Sequence, residues 1–396
     1  MAELDKPRET RVVQLMSSAC AGMFVFGIVM ATLGAILPSL FSRIQLSKGE
    51  AGNLFFCMNL AMLVMLLLFG PIVDRFGFKV FLMICSVLVA ASFFVLTSAS
   101  TYALVLLAAV VLGFGGGGLN GGTNALTSDI HPDKRSSALN LLGIFFGFGA
   151  LSIPFLIGTL LRAVGLRNIL LFATFLGLVP FILFSLFSFP KPKQSQGFPL
   201  FRADQVIKSP LLWLCGFLLF FESGNEFTIG GWISTYLQES FKMSPGAASL
   251  VLAGYWGAIV AGRLISSKIV RLFKNEKLVL ASAILAFFAA ALLASSPSGF
   301  LASVGAIGIG LGFAAIFPTT LAVVGERFPA FSGTAFSIVL TIALCGGMTS
   351  PWLAGKVAQA SSLRQGLSIP VVNCGMIIIL QLVIMRVSKI RQRAKC

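Results

Sequence analysis

Twelve long apolar stretches, separated by short polar segments, constrain the fold of this chain more than any other feature. A helix of roughly twenty residues crosses a hydrocarbon core of about 30 Å, and every stretch is long enough to do so. Hydrocarbon offers no partner to a free backbone N–H or C=O, so spanning elements are helices or closed barrels. Because the apolar runs are continuous and do not alternate, they predict helices rather than strands. The stretches lie near 15–42, 51–71, 79–98, 101–127, 137–160, 166–188, 209–238, 246–270, 276–296, 299–324, 333–357 and 366–386.

The composition requires lipid as the solvent for these helices. Hydrophobic residues make up 57% of the 396 positions and charged residues 11%, whereas about a quarter of the residues in a soluble domain are charged. A net charge of +16 would suggest a nucleic-acid partner if the protein were soluble. Here the Lys and Arg residues lie in loops, so we expect no nucleic-acid partner. The expected partners are the lipid bilayer and a small-molecule substrate, and we expect a monomer.

The basic residues also predict the orientation in the membrane. With a cytoplasmic N-terminus, most of the 29 Lys and Arg residues fall in cytoplasmic segments, as the positive-inside rule requires. Both termini are then cytoplasmic, and we expect the membrane to be a bacterial inner (plasma) membrane. Residues 189–208 are polar and are predicted to form a cytoplasmic linker. The predicted domains on either side are residues 1–188 and 209–396, each a six-helix bundle.

The two halves repeat each other at an offset of 197 residues. Asp129 of the first half aligns with Glu326 of the second half, so an acid occupies the same place in both. A parallel repeat of six helices is a known architecture of secondary transporters. The identical pairs are Gly113 and Gly310, Gly115 and Gly312, Thr123 and Thr320, Ala125 and Ala322, Pro132 and Pro329, Ala138 and Ala335, Gly149 and Gly346, Pro154 and Pro351, Leu156 and Leu353, and Gly158 and Gly355.

The loop after the second apolar stretch carries a complete signature, G-x-x-x-D-R-x-G-x-K. Its fixed positions are Gly70, Asp74, Arg75, Gly77 and Lys79. Together with the repeat, this motif resembles the major facilitator superfamily. The resemblance implies an all-α integral membrane protein with the major facilitator fold, in which twelve transmembrane helices form two parallel-repeat six-helix bundles. It also implies a substrate site between the two halves.

The same resemblance implies a cytoplasmic gate that closes while the cavity opens outward. Its predicted members are the five signature residues together with Asp129, Arg263 and Glu326. Arg75 and Arg263 are the expected basic partners of the acids in their respective halves. The alternative is that these are solvated charges at helix ends, which contribute little to stability.

Three short segments of the first half, 123–126, 138–142 and 146–150, and one of the second, 224–237, are similar to the fucose/glucose permease group of the superfamily. This resemblance implies uptake of a hexose together with H+ or Na+. The chain departs from the group at Gly143, where relatives tend to have His. Its first helix also carries no acid, although the proton-coupled fucose carriers use one there.

Glu222 and Glu226 are the candidate proton-coupling residues. Trp213 and Trp232, interpreted as markers of the two membrane interfaces, place Glu222 near mid-membrane. A carboxylate at that depth is costly and usually has a function. At i and i+4 the two acids share a helix face, and two anions so close will not both ionise readily. The alternative is a structural hydrogen bond to a neighbouring helix.

Polar and aromatic residues complete a predicted pocket, in which polar side chains bind hydroxyl groups of the substrate and aromatic side chains form the walls. Each of them also has a simpler interpretation as an interhelical hydrogen bond or a packing residue. The predicted substrate-binding residues are Asn59, Asn120, Thr123, Asn124, Asn140, Asn225, Trp232, Tyr255 and Trp256.

The sequence therefore predicts a secondary transporter that works by alternating access, with sugar–cation symport as the leading function. A proton-coupled exporter of amphipathic or drug-like compounds is the first alternative, because the chain has 38 Phe and only 3 Tyr. A membrane enzyme is the second, and it lacks support because the single histidine, His131, lies in a loop without a nucleophile or metal-ligand pattern. We expect no cofactor and no metal, with H+ or Na+ as the coupling ion.

Overall fold

The computed structural model describes residues 6–131, 134–189, 207–269, 275–328 and 332–393. Within these ranges every regular element is a helix, as the apolar runs predict. In chain order the helices are α1 (Lys6–Ile44), α2 (Lys48–Ser98), α3 (Tyr102–Ile130), α4 (Arg135–Leu186), α5 (Pro210–Phe241), α6 (Pro245–Ile269), α7 (Asn275–Ser295), α8 (Gly299–Arg327), α9 (Ser332–Ala360), α10 (Leu363–Gly366) and α11 (Ile369–Arg393).

Helices α2 and α4 are each interrupted by one glycine. They contain 51 and 52 residues, which at 1.5 Å per residue is more than twice the thickness of a bilayer core. Gly77 in α2 has φ 80°, and Gly165 in α4 has φ 75°. Residues with a Cβ rarely adopt this conformation, so glycine is the residue that permits the kink. Each kink divides its helix into two segments of membrane-spanning length.

Among the described helices, nine are long and apolar enough to cross a membrane. Helix α5 is not among the nine, although its 32 residues give it sufficient length. It carries Glu222, Ser223, Asn225 and Glu226 in its central turns, and all four are buried. Helix α5 is therefore polar at its centre, and protein rather than solvent surrounds that part.

The chain forms two compact units. Unit 1 consists of residues 1–46 and 57–197, and unit 2 consists of residues 47–56 and 198–396. The first turns of α2 thus belong to unit 2, although they precede the first-half signature in the sequence. Of the predicted linker, residues 190–206 lie outside the part of the chain that the structure describes.

Helices α1 and α5 hold corresponding places in the two units. Helix α1 packs on α4 and α3, and α5 packs on α9, α11, α8 and α6. In unit 1, a Cβ on Gly149 would overlap the main-chain oxygen of Phe24. In unit 2, a Cβ on Gly346 would overlap the main-chain oxygen of Phe220. Because Gly149 and Gly346 are 197 residues apart, the repeat in the sequence is also a repeat of close helix contacts.

A second pair of glycines makes the same point. Gly113 of α3 lies against the main-chain oxygen of Met58, and Gly310 of α8 lies against that of Tyr255. Both the glycines and their partners are separated by 197 residues. The two units are thus built around the same small-residue contacts.

The first turns of α2 are held in unit 2 by polar contacts with α5 and α9. Lys48 Nζ lies 2.8 Å from Glu239 Oε2, and Trp352 Nε1 donates to Asn53 Oδ1 at 3.1 Å. The backbone N–H of Gly49 donates to Gln359 Oε1 at 3.3 Å. The ion pair is partly exposed, so the contacts fix the position of this segment more than they stabilise the fold.

Candidate functional site

The two predicted coupling acids lie at the centre of α5. Glu222 is 1% exposed and Glu226 is 9% exposed. They stand on either side of the midpoint of the 32-residue helix and share a face, being four residues apart. Two carboxyl groups are therefore held together inside unit 2, away from solvent.

Arg263 of α6 is the basic group that acts on this pair. Its charge interacts with both Glu222 and Glu226, and the two acids interact with each other. Ser223 Oγ donates to Glu222 Oε2 at 3.3 Å, and the Tyr255 hydroxyl donates to the main-chain oxygen of Glu226 at 3.4 Å. One guanidinium balances one carboxylate, so the group is neutral when the two acids share one proton. With both acids ionised, it carries one unbalanced negative charge in a buried place, which is costly.

Asn225 lies between the two acids in the sequence, and its side chain forms hydrogen bonds that connect α5 to α11. Its Oδ1 accepts from Asn373 Nδ2 at 3.0 Å, and its Nδ2 donates to Pro370 O and Cys374 Sγ, each at 3.3 Å. Asn373 Nδ2 also donates to Ser350 Oγ of α9 at 3.3 Å. These bonds satisfy the Asn225 amide within the fold. The interhelical alternative thus accounts for this side chain, and its predicted substrate contact remains a prediction.

The prediction that Trp232 marks a membrane interface is wrong. Trp232 is 0% exposed, and its Nε1 donates to Pro351 O at 3.0 Å. Trp213 is 40% exposed, as an interfacial residue requires. Tryptophan has a large apolar surface and a single donor, so it suits an interior position where one carbonyl is available. Glu222 lies near the middle of α5 and is buried, and its depth in the bilayer remains a prediction.

Of the aromatic residues predicted to bind substrate, Tyr255 and Trp256 are both buried on α6. Their ring centroids are 5.4 Å apart. The Tyr255 hydroxyl contacts α5 at the main-chain oxygen of Glu226, as described above. Trp232, Tyr255 and Trp256 thus all lie inside unit 2, and their role toward substrate remains a prediction.

The predicted polar residues of the first half lie in unit 1. Asn120, Thr123 and Asn124 lie within two turns of α3, where Asn124 Nδ2 donates to Asn120 O at 2.8 Å and to Asn120 Oδ1 at 2.9 Å. Thr123 Oγ1 donates to Leu119 O at 2.7 Å. Asn59 is buried on α2, whereas Asn140 is exposed on α4. The structure therefore groups three of these five side chains on one helix.

The signature loop forms the kink of α2. Gly77 supplies the left-handed backbone there, while Asp74 and Arg75 are exposed. Lys79 Nζ donates to Ser185 O at 2.8 Å and to Phe187 O at 3.3 Å, at the C-terminal end of α4. A cation at that position satisfies terminal carbonyls and complements the helix dipole. Lys79 thus links α2, next to its kink, to the C-terminal end of α4. Gly70 lies within α2, seven residues before the kink.

The other predicted gating acids, Asp129 and Glu326, are exposed near the C-terminal ends of α3 and α8. Glu326 Oε1 accepts from Asn275 Nδ2 at 3.4 Å. Arg263, the predicted basic partner of Glu326 in the second half, instead acts on the buried acid pair of α5. This position adds a second candidate role to Arg263, and the gating role of all these residues remains a prediction.

A cavity of about 560 Å³ lies in unit 1, and the sequence does not predict it. One stripe of α1, the end of α3 and the start of α4 form its walls. The signal in the sequence is the i, i+3, i+4, i+7 spacing along α1, which is also the spacing of an ordinary buried face. The lining residues are Val13, Met16, Ser17, Cys20, Ala21, Phe24, His131, Leu141 and Phe145.

Comparison with known proteins agrees with this architecture. A sequence model of the Major Facilitator Superfamily matches residues 19–221 and again 212–395. The glucose/galactose transporter of Brucella abortus biovar 1 is 25% identical over 373 residues, which cover 88% of this chain and 89% of the relative. The yeast Bypass of stop codon protein 6 (Saccharomyces cerevisiae) is 23% identical over 400 residues, covering 89% of this chain and 79% of that protein.

Solved structures share the fold. The D-xylose-proton symporter superposes with a TM-score of 0.77 at 17% identity, covering 94% of this chain and 97% of that one. The nucleoside transporter NupG superposes with a TM-score of 0.74 at 16% identity, covering 95% and 98%. These matches confirm the predicted all-helical major facilitator fold, and the family is one of transporters rather than enzymes. With both repeats matched and the helical fold shared, the chain belongs to the Major Facilitator Superfamily.

Proposed function

We propose that this transporter couples the movement of a proton to the uptake of a small polar solute such as a hexose. The observation that carries the proposal is the pair of buried carboxyls on α5 together with the half-buried guanidinium of Arg263 on α6, all in unit 2. Such a group is neutral with one proton and charged without it. A site with this property gives the protonated and the deprotonated carrier different net charges at a buried position.

Glu226 is the leading coupling residue, and Glu222 is its partner. When protonated, Glu226 can donate a hydrogen bond to substrate, and the group is neutral. When ionised, it penalises any conformation that removes the unbalanced charge from water. Protonation would therefore favour one step of the transport cycle, which is what coupling requires.

The hexose assignment is supported by the permease-like segments and by the similarity to the Brucella transporter. Asn120, Thr123 and Asn124 of unit 1 supply amide and hydroxyl groups of the kind that reads sugar hydroxyls. Sodium is the alternative coupling ion, because a carboxylate is also a good ligand for a hard cation.

Uptake by purified protein in proteoliposomes tests the proposal. Labelled glucose or galactose should accumulate when the outside is acidic, and a protonophore should abolish the accumulation. Uptake driven by a sodium gradient, without a pH gradient, tests sodium as the alternative coupling ion. If neither gradient drives accumulation of either sugar, the proposed symport is wrong.

Export of amphipathic compounds is the second candidate function, and the apolar cavity of unit 1 favours it. The two functions predict opposite directions of net flux under an acid-outside gradient. Under that gradient, amphipathic dyes should leave preloaded vesicles if the protein is an exporter.

The proposed topology has twelve spans, with α2 and α4 each providing two on either side of their kinks. It places both termini and the 189–208 linker in the cytoplasm. A single cysteine at Ser298, the N-cap of α8, should then react with an impermeant maleimide added outside. A cysteine at Ser195, outside the described residues, should not react. The reverse pattern would overturn this orientation.

A further inference from the structure

The turn of α5 that carries the two acids is anchored by a polar network on α9 and α11. Both functions of the Asn225 amide bond to α11, and the shortest of these bonds runs from Asn373 Nδ2 to Asn225 Oδ1 at 3.0 Å. Asn373 Nδ2 also donates to Ser350 Oγ of α9 at 3.3 Å. A Cβ on Gly224 would overlap that same Ser350 oxygen, so α5 contacts α9 directly at the residue before Asn225. The network therefore fixes α5 against two helices at a point between the two acids.

Helix packing alone does not require this network, because the equivalent helices of unit 1 pack without it. At the offset of 197 residues its three polar members correspond to aliphatic residues, of which Ile28 and Ile153 are both 0% exposed. The offset still holds just before α11, where the Leu-Arg pair at 363–364 repeats that at 166–167. The amide network thus occurs in the unit that has the acids, and aliphatic side chains replace it in the unit that has valines. The corresponding pairs are Asn225 and Ile28, Asn373 and Leu176, and Ser350 and Ile153.

Asn225 also lies close to the acid face around the axis of α5. At 3.6 residues per turn, it is about 60° from Glu222 and about 100° from Glu226. Glu222 lies between the other two around the helix, and it interacts electrostatically with Cys374 of α11. Arg263 of α6 interacts with both acids. An anchor at Asn225 therefore sets the direction in which the carboxyls project, and with it their approach to the guanidinium.

We propose that Asn373 is a positioning residue for the acid pair, because through Asn225 it holds α5 in the rotation that presents both carboxyls to Arg263. This inference rests on the proposed coupling role of the pair and adds a residue to it. Without the anchor α5 can rotate, the carboxyls move away from the guanidinium, and the pair holds its proton more tightly. The other ionisable groups that interact with the pair are Tyr255 of α6 and Cys374 of α11. The titratable groups of α8 and α9 are Cys345 and, near the C-terminal ends, Glu326, Arg327 and Lys356.

Infrared spectra of the full-length protein in lipid nanodiscs, recorded across a pH titration, test the inference without requiring transport. In the wild type we expect a band of protonated carboxyl that disappears as the pH rises and that is absent from the double variant Glu222→Gln/Glu226→Gln. The double variant Asn225→Ile/Asn373→Leu installs the side chains that unit 1 uses and should therefore fold. In it, and in Asn373→Ala, the midpoint of the band should move up by about one pH unit, a tenfold gain in proton affinity.

Two further variants distinguish positioning from packing. Ile377 is buried on α11, four residues after Asn373. Ile377→Ala should therefore lower the melting temperature and leave the midpoint of the band unchanged. Asn373→Gln keeps the amide donor, so its midpoint should lie closer to that of the wild type than the midpoint of Asn373→Ala does.

The outcomes separate this inference from the proposed coupling. Equal midpoints in the wild type and in Asn225→Ile/Asn373→Leu, or an equal shift in Ile377→Ala, would overturn the inference. A wild-type protein without a titrating carboxyl band would overturn both the inference and the proton coupling. A shift of the expected size, together with uptake that no pH gradient drives, would reject the coupling and keep the positioning role of Asn373.

Discussion

Helices α1 and α5 are equivalent in the repeat, yet their centres differ completely in chemistry. At the offset of 197 residues, Val25 and Val29 of α1 correspond to Glu222 and Glu226 of α5. All four side chains are buried, the two valines at 1% and 0% exposure. The repeat thus preserves the close helix contacts of both units, while the ionisable group appears in one of them. The scaffold is shared, and the proposed coupling chemistry belongs to unit 2.

The largest loss of stability is expected at the close glycine contacts that the two units share. Gly149→Ala and Gly346→Ala would each place a Cβ on a main-chain oxygen of the adjacent helix, and backbone cannot move aside cheaply. We expect each to lower the free energy of unfolding by more than about 4 kcal/mol, so that little folded protein is recovered. Yield and thermal unfolding in detergent measure this.

Gly143→Ala is the matched control for these two substitutions. Gly143 lies in the same helix as Gly149, and a Cβ there would meet nothing within 4 Å. Alanine should be tolerated, or should stabilise the helix by about 0.5–1 kcal/mol. If all three variants behave alike, close helix contact does not explain the repeated glycines.

A carboxyl group at Val29, the unit 1 position equivalent to Glu226, should destabilise the protein, although unit 2 buries a carboxyl at the corresponding position. Val29 packs against Gly116, which leaves no room for a solvated charge. Val29→Glu should lower the free energy of unfolding by about 2.5–3.5 kcal/mol, the cost of a charged residue at the centre of a membrane helix. Val29→Gln has the same size without the charge and controls for crowding. Equal melting temperatures for Val29→Glu and the wild type would contradict the distinction between the units.

The hydrogen bonds around Asn225 should stabilise unit 2 to a smaller extent. Asn225→Ala leaves buried polar groups of α11 unsatisfied, so we expect a loss of about 1–3 kcal/mol. Asn373→Ala should have a similar effect, and the double variant should lose less than the sum because both sides of one bond are removed. Thermal unfolding of the four proteins measures the coupling. If Asn225→Ala abolishes substrate binding without changing stability, the substrate role predicted from the sequence is correct.

The smallest effect on stability is expected at Arg75, which is exposed in the α2 kink. Arg75→Ala should change the free energy of unfolding by no more than about 0.5 kcal/mol. It should nevertheless slow transport and leave substrate affinity within a few-fold, if the loop shifts a conformational equilibrium without contacting substrate. Transport at the wild-type rate would remove this loop from the gate.

The sequence predicted the fold because each feature that determines it is local or periodic. Apolar runs give the helices, and the repeated glycines mark the close contacts of both units. Gly77 was recognised from a motif, and its positive φ supplies the physical reason. The two buried acids of α5 were also predicted, since a charge within an apolar run is conspicuous.

The partners of those residues could not be predicted in the same way. Asn373, Ser350 and Pro370 lie more than a hundred residues from Asn225, and only packing brings them together. The Trp232 Nε1 likewise donates to Pro351 O, a contact that no spacing along α5 reveals. The unit 1 cavity was missed because its stripe on α1 has the spacing of any core face. Local patterns thus identified the chemistry, while tertiary contacts decided which side chains are satisfied.

The central claim is that Glu226 carries the coupling proton, and two transport assays on one variant test it most directly. Glu226→Gln keeps the size and the hydrogen-bonding capacity of the protonated acid and removes its titration. In proteoliposomes it should retain substrate counterflow, which requires no proton gradient, and lose accumulation driven by an acid-outside pH gradient. Glu222→Gln, one turn away on the same face, should retain both and shift only their pH profile. Gradient-driven accumulation by Glu226→Gln at the wild-type level would contradict the account.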